Sequence, residues 1–311
     1  MKIALIGLGY AGQKHLTALR HFDYVQVVCV CDPVPPSHLP PSVRYYAQLE
    51  KMLEQERKRV EVALIASPNG LHEEQAIACL QSGWHVIVEK PLAIHLAGAQ
   101  HIMEAAAAQQ LKVFCVMQNR YHPVMQWLEK LLTDGWMTDP FLIQINCFWN
   151  RDDRYYTPGS WRGKEGMDGG PLFTQFSHFI DALLWLFGEV DTIESAFFEN
   201  TAHQHNTDYE DTGVVVLKMA NQARVVLNYS TAVPRQNAES SITVLSRTAA
   251  VKIAGQYMNE VSWCITPPGC PDPPVAEPFQ NDRIPALTAF FQLLKEEIHF
   301  LYCIELNTPT R

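Results

Sequence analysis

A chain of 311 residues is long enough for two domains with separate cores, and its 47% hydrophobic and 18% charged residues are the balance of an ordinary globular protein. A formal net charge of −9 with no basic run excludes a dedicated nucleic-acid surface and an anchor on anionic membranes. The apolar start Met1–Ile6 meets glycines at once instead of a signal-peptide cleavage site, and no apolar run approaches the roughly twenty residues of a membrane span. We therefore expect a cytoplasmic protein with neither membrane nor nucleic-acid partners. The eight cysteines include no CxxC pair, so free thiols behaving as small hydrophobes are expected, and no metal site.

In chain order, the first 120 residues alternate short apolar runs with longer amphipathic ones. Strands are expected at Ile3–Ile6, Val25–Cys31, Val60–Ala66, His85–Val88 and Lys112–Met117, with helices near 11–22, 45–58, 71–82 and 95–110 between them. Continuous Val/Ile/Leu runs are what parallel strands look like when helices cover both faces, so this half predicts an α/β fold with a doubly wound parallel Rossmann sheet. Beyond it the pattern changes. A helix near 122–133, a strand at Leu142–Trp149 and a polar, glycine-rich loop over 150–171 lead to one strongly apolar helix over 172–187. Six strands are then expected near 191–200, 212–219, 223–231, 239–246, 249–253 and 260–265, with a hairpin connection at Met219–Ala223. A proline-rich loop over 267–278 and a helix at 286–302 follow.

This second half predicts an α+β domain with a large, mostly antiparallel, open-faced sheet. The expected division is 1–120 for dinucleotide binding and 121–311 for substrate and oligomerisation, with the segment from about 280 docking back on the first domain. The aromatic pairs Phe197-Phe198 and Phe290-Phe291 read as core. An open sheet face calls for a partner, so a homo-oligomer, dimer or tetramer, is expected.

The glycine turn Gly7-Leu8-Gly9-Tyr10-Ala11-Gly12 follows a strand and opens a helix, the context that a dinucleotide cradle needs. The first glycine permits the tight turn, the second lets a pyrophosphate approach the backbone, and the third allows helix and strand to pack closely. The helix N-terminus offers free N–H groups and a favourable dipole. Asp32 ends the second strand, where a carboxylate takes ribose hydroxyls and repels a 2′-phosphate; Pro33-Val34-Pro35-Pro36 offers no arginine to receive one. The cofactor read from this is NAD rather than NADP. Ser67-Pro68-Asn69 with His72, and Glu89-Lys90-Pro91, stand where the next strands deliver residues to the cofactor crevice. In Asp168–Asp181, a single helix starting near 172 puts Thr174, His178 and Asp181 on one face. Histidine is a natural proton acceptor near neutral pH, and a core histidine is the competing reading of His178. His203-Gln204-His205 with Asp208, Glu210 and Asp211 lacks regular ligand spacing and reads as a solvated loop rather than a metal site.

These motifs, together with Gln118-Asn119-Arg120-Tyr121-His122 and Gly169-Gly170-x-Leu172, resemble the glucose-fructose oxidoreductase, inositol dehydrogenase and MocA family, and occur in family order over residues 1–265. The resemblance implies that Lys90 and His178 assist hydride transfer between a nicotinamide and a secondary alcohol of a sugar or cyclitol, in an active site between the two domains. It implies cofactor contacts at Gly7, Leu8, Gly9, Tyr10, Ala11, Gly12, Asp32, Ser67, Pro68, Asn69, His72, Glu89, Lys90 and Gln118. Tyr155-Tyr156 and Gly159-Ser160-Trp161-Arg162-Gly163 resemble the nucleotide-sugar uronate 3-dehydrogenase branch, which adds Trp161 and Arg162 beside cofactor and substrate. Substrate contacts are then expected from Lys90, Arg120, Tyr121, Tyr155, Trp161, Arg162, Thr174 and His178, with Arg120, Arg162 or Arg235 meeting a substrate carboxylate or phosphate.

The chain also departs from the family pattern. Thr174 stands where many members carry Asp, Pro171 replaces the third glycine of Gly-Gly-Gly, and Arg311 is reached without the family's further closing segment. Two other activities fit the same scaffold: glycosidic cleavage through transient NAD oxidation, and non-catalytic NAD-dependent regulation.

Overall fold

The computed structural model describes residues 1–275 and 283–295, and these form two compact units. The first takes in Met1–Met117 together with the helix at Ile284–Lys295. Its strands are β1 (Lys2–Ile6), β2 (Gln26–Cys31), β3 (Arg44–Tyr46), β4 (Val62–Ile65), β5 (His85–Glu89) and β6 (Val113–Val116). All pair in parallel, in the order β3-β2-β1-β4-β5-β6. Four helices separate them: α1 (Tyr10–Leu19), α2 (Leu49–Glu56), α3 (His72–Gln81) and α4 (Leu96–Gln109). The order reverses beside β1, and that reversal opens a ligand crevice at the strands' C-terminal ends. The near-continuous burial of β1, β4 and β6 explains why they read as unbroken apolar runs.

One element differs from expectation here. The helix expected over 45–58 begins only at Leu49, and Arg44–Tyr46 before it is the edge strand β3. Tyr46 is buried in this strand, and its hydroxyl donates to Glu56 at 2.8 Å, tying β3 to the end of α2.

The second unit spans Gln118–Gln280. It contains α5 (Pro123–Thr133), β7 (Leu142–Phe148), α6 (Pro171–Thr174), α7 (Ser177–Phe187), β8 (Val190–Glu199), β9 (Thr212–Met219), β10 (Arg224–Ser230), β11 (Glu239–Leu245), β12 (Ala250–Ala254) and β13 (Glu260–Ile265). The seven strands run in the order β13-β12-β11-β7-β10-β9-β8, antiparallel except for the β7–β10 pair. Alternate residues of β7, β9 and β10 are buried, and they join Trp127, Leu128, Phe176, Phe179 and Leu183 in one core. Helices therefore cover one sheet face, as the alternating pattern predicts for a half-solvated sheet.

Two expectations fail in this unit. Phe197 and Phe198 are 54% and 51% exposed, because β8 is an edge strand with little packed against it. The apolar helix expected over 172–187 is two helices, α6 and α7, broken at Gln175–Phe176. The Thr174 hydroxyl bonds back to the Asp168 carbonyl at 2.8 Å and to its carboxylate, which holds α6 to the preceding loop. Thr174 thus lies on a different helix from His178 and Asp181. Phe290 and Phe291 are buried as expected; Phe291 meets Phe22 edge-on at 5.0 Å within the first unit. The helix begins at Ile284 and is described to Lys295; the rest of its expected span lies outside the described residues.

Candidate functional site

In the first unit the candidate residues collect at the C-terminal ends of the parallel strands. Gly7 has φ +90°, and a Cβ there would lie 2.6 Å from the carbonyl of Ala66, just after β4; a Cβ on Gly12 would lie 2.1 Å from the Gly7 oxygen. These two glycines are required by close backbone packing. Gly9 is different. A Cβ there would meet nothing within 4 Å, so the protein itself gives no reason for glycine. Gly9 is the N-cap of α1 without a side-chain cap, which leaves the helix N–H groups facing that open side. Tyr10 is 72% exposed beside it.

Asp32 completes the cradle. One of its carboxylate oxygens accepts the Leu8 N–H at 2.7 Å and the other accepts the Val34 N–H at 2.9 Å. A carboxylate offers about four lone-pair sites, so two acceptor directions stay available for a diol. The open side of Gly9, the N-terminus of α1 and this half-used carboxylate together fit a dinucleotide whose ribose hydroxyls reach Asp32.

Beyond the cradle, the structure separates residues that reach the crevice from residues that support it. Ser67 and Pro68 are half-buried after β4, and the Ser67 hydroxyl donates to Gln75 at 2.6 Å. Asn69 is buried in the short turn that follows. His72 is fully buried, with Nδ1 2.7 Å from the Pro91 carbonyl and Nε2 3.0 Å from the Ser67 carbonyl. Burial holds its pKa below the ordinary histidine value. A neutral imidazole has one N–H, and the shorter contact assigns it to Pro91. His72 is a brace between the loops after β4 and β5.

Glu89 is held in the same way. It is buried, and one of its oxygens accepts from His15 Nε2 on α1 and from Arg283 Nε, both at 2.8 Å. Arg283 Nη2 lies 2.8 Å from the same oxygen. Burial pushes the Glu89 carboxyl up, but the Arg283 guanidinium, His15 and Lys90 outweigh it and hold the pKa well below the carboxylate range. Glu89 therefore anchors the strand end from beneath. Lys90, next in the chain, is only half-buried.

In the second unit the register brings three loops to one end of the sheet. Phe148 pairs with Ser230 and Glu239, Ser230 with Thr212, and Thr212 with Glu199. The loops over 149–170, 200–211 and 231–238 therefore meet there. Asp168 is buried; its carboxylate accepts the Gly163 N–H at 2.5 Å and the Thr174 hydroxyl. His178 lies in the first turn of α7 and is 7% exposed. Arg162 stacks on Tyr155 with its Cζ 4.7 Å from the ring centroid, and on Trp161 at 5.3 Å.

Arg120 is paired within the second unit. It makes a fork with Asp181, Nε to Oδ2 at 2.8 Å and Nη2 to Oδ1 at 2.5 Å, which joins the turn before α5 to α7. Tyr121, beside it, is half-buried, and Gln118 is buried. The loop carrying His203 is also not fully solvated. His203 and Asp211 are buried, and one Asp211 oxygen takes the N–H groups of Thr201, Ala202 and His203. Sequence reasoning passed over Arg151 and Gln175. Arg151 Nε donates to Gln175 Oε1 at 2.7 Å, and its guanidinium lies over Trp149 and Tyr155. Only the loop's aromatic richness could have signalled it.

A dinucleotide cradle on a classically ordered parallel sheet, followed by an α+β unit with its own sheet, defines a Rossmann-type oxidoreductase architecture. Residues 1–117 match the model of an oxidoreductase family with an NAD-binding Rossmann fold, and residues 125–252 match the GFO/IDH/MocA C-terminal domain. The chain belongs to this family, as its motifs led us to expect, and its first unit is an NAD-binding domain. The WlbA dehydrogenase of Bordetella pertussis, solved in complex with NADH and UDP-GlcNAcA, is 29% identical with a TM-score of 0.81, over 95% of this chain and 83% of that one. An uncharacterized oxidoreductase of Synechocystis is 25% identical over 242 residues, 73% of this chain. The scyllo-inositol 2-dehydrogenase (NADP(+)) of Bacillus subtilis is 29% identical over 153 residues, 48% of this chain. The matched stretches span 65% and 41% of the lengths of these two curated relatives. Among the described residues, no helix is long and apolar enough to cross a membrane.

Proposed function

We propose that the protein is an NAD-dependent dehydrogenase acting on a secondary alcohol of a sugar, most specifically a uronate or nucleotide-activated sugar. The observation that carries this reading is the placement of Lys90 at the end of β5, on the same sheet edge as the glycine turn and Asp32. NAD supplies hydride-accepting chemistry when bound. Gly7–Gly12 and the N-terminus of α1 would hold its phosphates, and Asp32 would hold the adenosine ribose. Lys90 orients and polarises the substrate oxygen, and His178 accepts the hydroxyl proton. Glu89, fixed by Arg283 and His15, keeps the backbone of Lys90 in place.

Likeness to the uronate-bound WlbA dehydrogenase supports the substrate class. The proposal takes the protein as a cytoplasmic homo-oligomer; the long exposed edge β8, with Ile193, Phe197 and Phe198 open, supports self-association. Light scattering on the purified chain tests the oligomer.

The activity is tested with a panel of sugars, polyols, uronates and UDP-sugars, followed by NADH absorbance. We expect one anionic sugar to drive NAD reduction, and Lys90→Ala and His178→Ala each to lower that rate about a hundredfold to ten-thousandfold. A wild-type rate left unchanged by both variants rejects the assignment.

A further inference from the structure

Arg151 and Arg162 share one aromatic ring. Their Cζ atoms lie 5.2 Å and 4.7 Å from the Tyr155 centroid, and both side chains are only partly buried. Arg151 donates to Gln175 Oε1 at 2.7 Å, the Asn150 carbonyl at 2.6 Å and Asn237 Oδ1 at 3.3 Å, all of them neutral acceptors. Its Nη2 group makes no hydrogen bond among the described residues, and the Arg162 guanidinium is described there only by its two ring contacts. Neither guanidinium meets a carboxylate among the described residues. Two carboxylates of the same loop have other partners: Asp168 meets Gly163 and Thr174, and Asp152 meets Arg154.

Like charges gathered at one ring repel, and the pair is also partly withdrawn from water. Burial first, and then Arg162 among the neighbouring groups, lowers the Arg151 pKa from the ordinary arginine value. Holding two cations here without a counter-charge costs stability unless an anion arrives. Guanidinium forks match carboxylate and phosphate geometry, and the ring faces fix their planes. The Tyr155 hydroxyl accepts from Gln175, which sits three residues before His178.

We propose that Arg151 and Arg162, stacked on Tyr155, form an oxyanion clamp that selects sugars carrying a carboxylate or phosphate. This rests on the sugar-dehydrogenase reading and adds to it the group that the enzyme recognises. The clamp would hold the substrate by its charged end in the unit that also carries His178, leaving the reacting carbinol uncharged.

The test is calorimetry on the full chain loaded with NADH, using D-glucose, D-glucuronate and UDP-glucose as probes, with inorganic phosphate as a sugar-free probe. At least one anionic sugar should bind about tenfold or more tightly than glucose, and Arg162→Gln should erase that margin, the loss of one charge-assisted contact. A margin with glucuronate identifies a carboxylate as the recognised group; a margin with UDP-glucose alone identifies a phosphate. In turnover, Arg162→Gln should raise KM for the preferred anionic sugar at least tenfold with a much smaller change in kcat, a split that a folding defect would not produce. Arg151→Lys, which keeps charge but loses the fork, guards against misfolding of Arg151→Gln and should fall between the two.

Equal binding of glucose and both anionic sugars overturns the clamp. It is also overturned if Arg162→Gln weakens NADH binding while the anionic margin survives, because the anion is then the cofactor's pyrophosphate. If no sugar is turned over, the function reading fails separately, and inorganic phosphate decides the clamp: binding lost in Arg162→Gln supports it, and no binding to wild type overturns it.

Discussion

The two buried glutamates described in the first unit each meet cations from the protein itself. Glu89 is held by Arg283 and His15, and Glu56 by Arg44 at 2.8 Å and Arg59 at 3.4 Å, with the Tyr46 hydroxyl added. At the loop end of the second unit, Arg151 and Arg162 are partly buried beside aromatic rings and meet no carboxylate among the described residues. The difference separates architecture from recognition. A buried charge with its counter-charge in place stiffens the scaffold, and removing one partner is costly because the other is stranded. A half-buried cation without a counter-charge is poised for a ligand, and removing it should cost the fold little.

Arg283→Ala breaks the first side of this comparison and carries the largest expected stability effect. It strands the Glu89 carboxylate, so we expect a loss of about 3–5 kcal/mol in urea unfolding at neutral pH. The pH dependence follows from the depressed pKa of Glu89. Its contribution is fully present above the unfolded value of about 4.3 and is lost as pH falls through the folded value. The gap between wild type and Arg283→Ala should therefore be widest near neutral pH and narrow steadily below about pH 4. A gap independent of pH would show that Arg283 acts through packing alone.

This long-range pairing also shows how far the molecule was legible in its sequence. The parallel sheet was readable because buried strands are short continuous apolar runs, and the second sheet because its strands alternate and are separated by turns. The glycine turn and Asp32 were readable because their spacing is local. Arg283 was not, since its partner lies 194 positions away and nothing at either end advertises the pair. His72 and Glu89 were singled out from motif position, and the carbonyls and cations that hold their side chains come from elements a motif does not show. The break between α6 and α7 hid because apolar periodicity continues across it, while side-chain bonds from Thr174 to Asp168 decide where the helix stops. Phe197 and Phe198 were misread because an edge strand exposes residues that a central strand would bury.

Asp32 stands between the two classes of charge, since it accepts two backbone N–H groups and keeps acceptor capacity for a ligand. Asp32→Ala should lose about 1 kcal/mol of stability through the unpaired turn. It should also shift the NADPH-to-NADH affinity ratio at least about tenfold toward NADPH, because the repulsion of a 2′-phosphate is gone. Calorimetry with both cofactors reads the ratio directly. Tighter binding of NADPH by wild type would show that the carboxylate does not exclude the phosphate.

The smallest expected effect is the most pointed. Arg162→Gln removes a full charge, as Arg283→Ala does, yet the two should differ several-fold in their cost to folding. The described contacts of Arg162 are the rings of Tyr155 and Trp161, and an exposed cation–π contact is worth about 0.5–1 kcal/mol. Relief of the repulsion with Arg151 works in the opposite direction. The net change in unfolding free energy should stay within about 0.5 kcal/mol, the range of ordinary surface substitutions. A loss as large as that of Arg283→Ala would place Arg162 with the scaffold, and the contrast between charge paired for folding and charge held for a ligand would collapse.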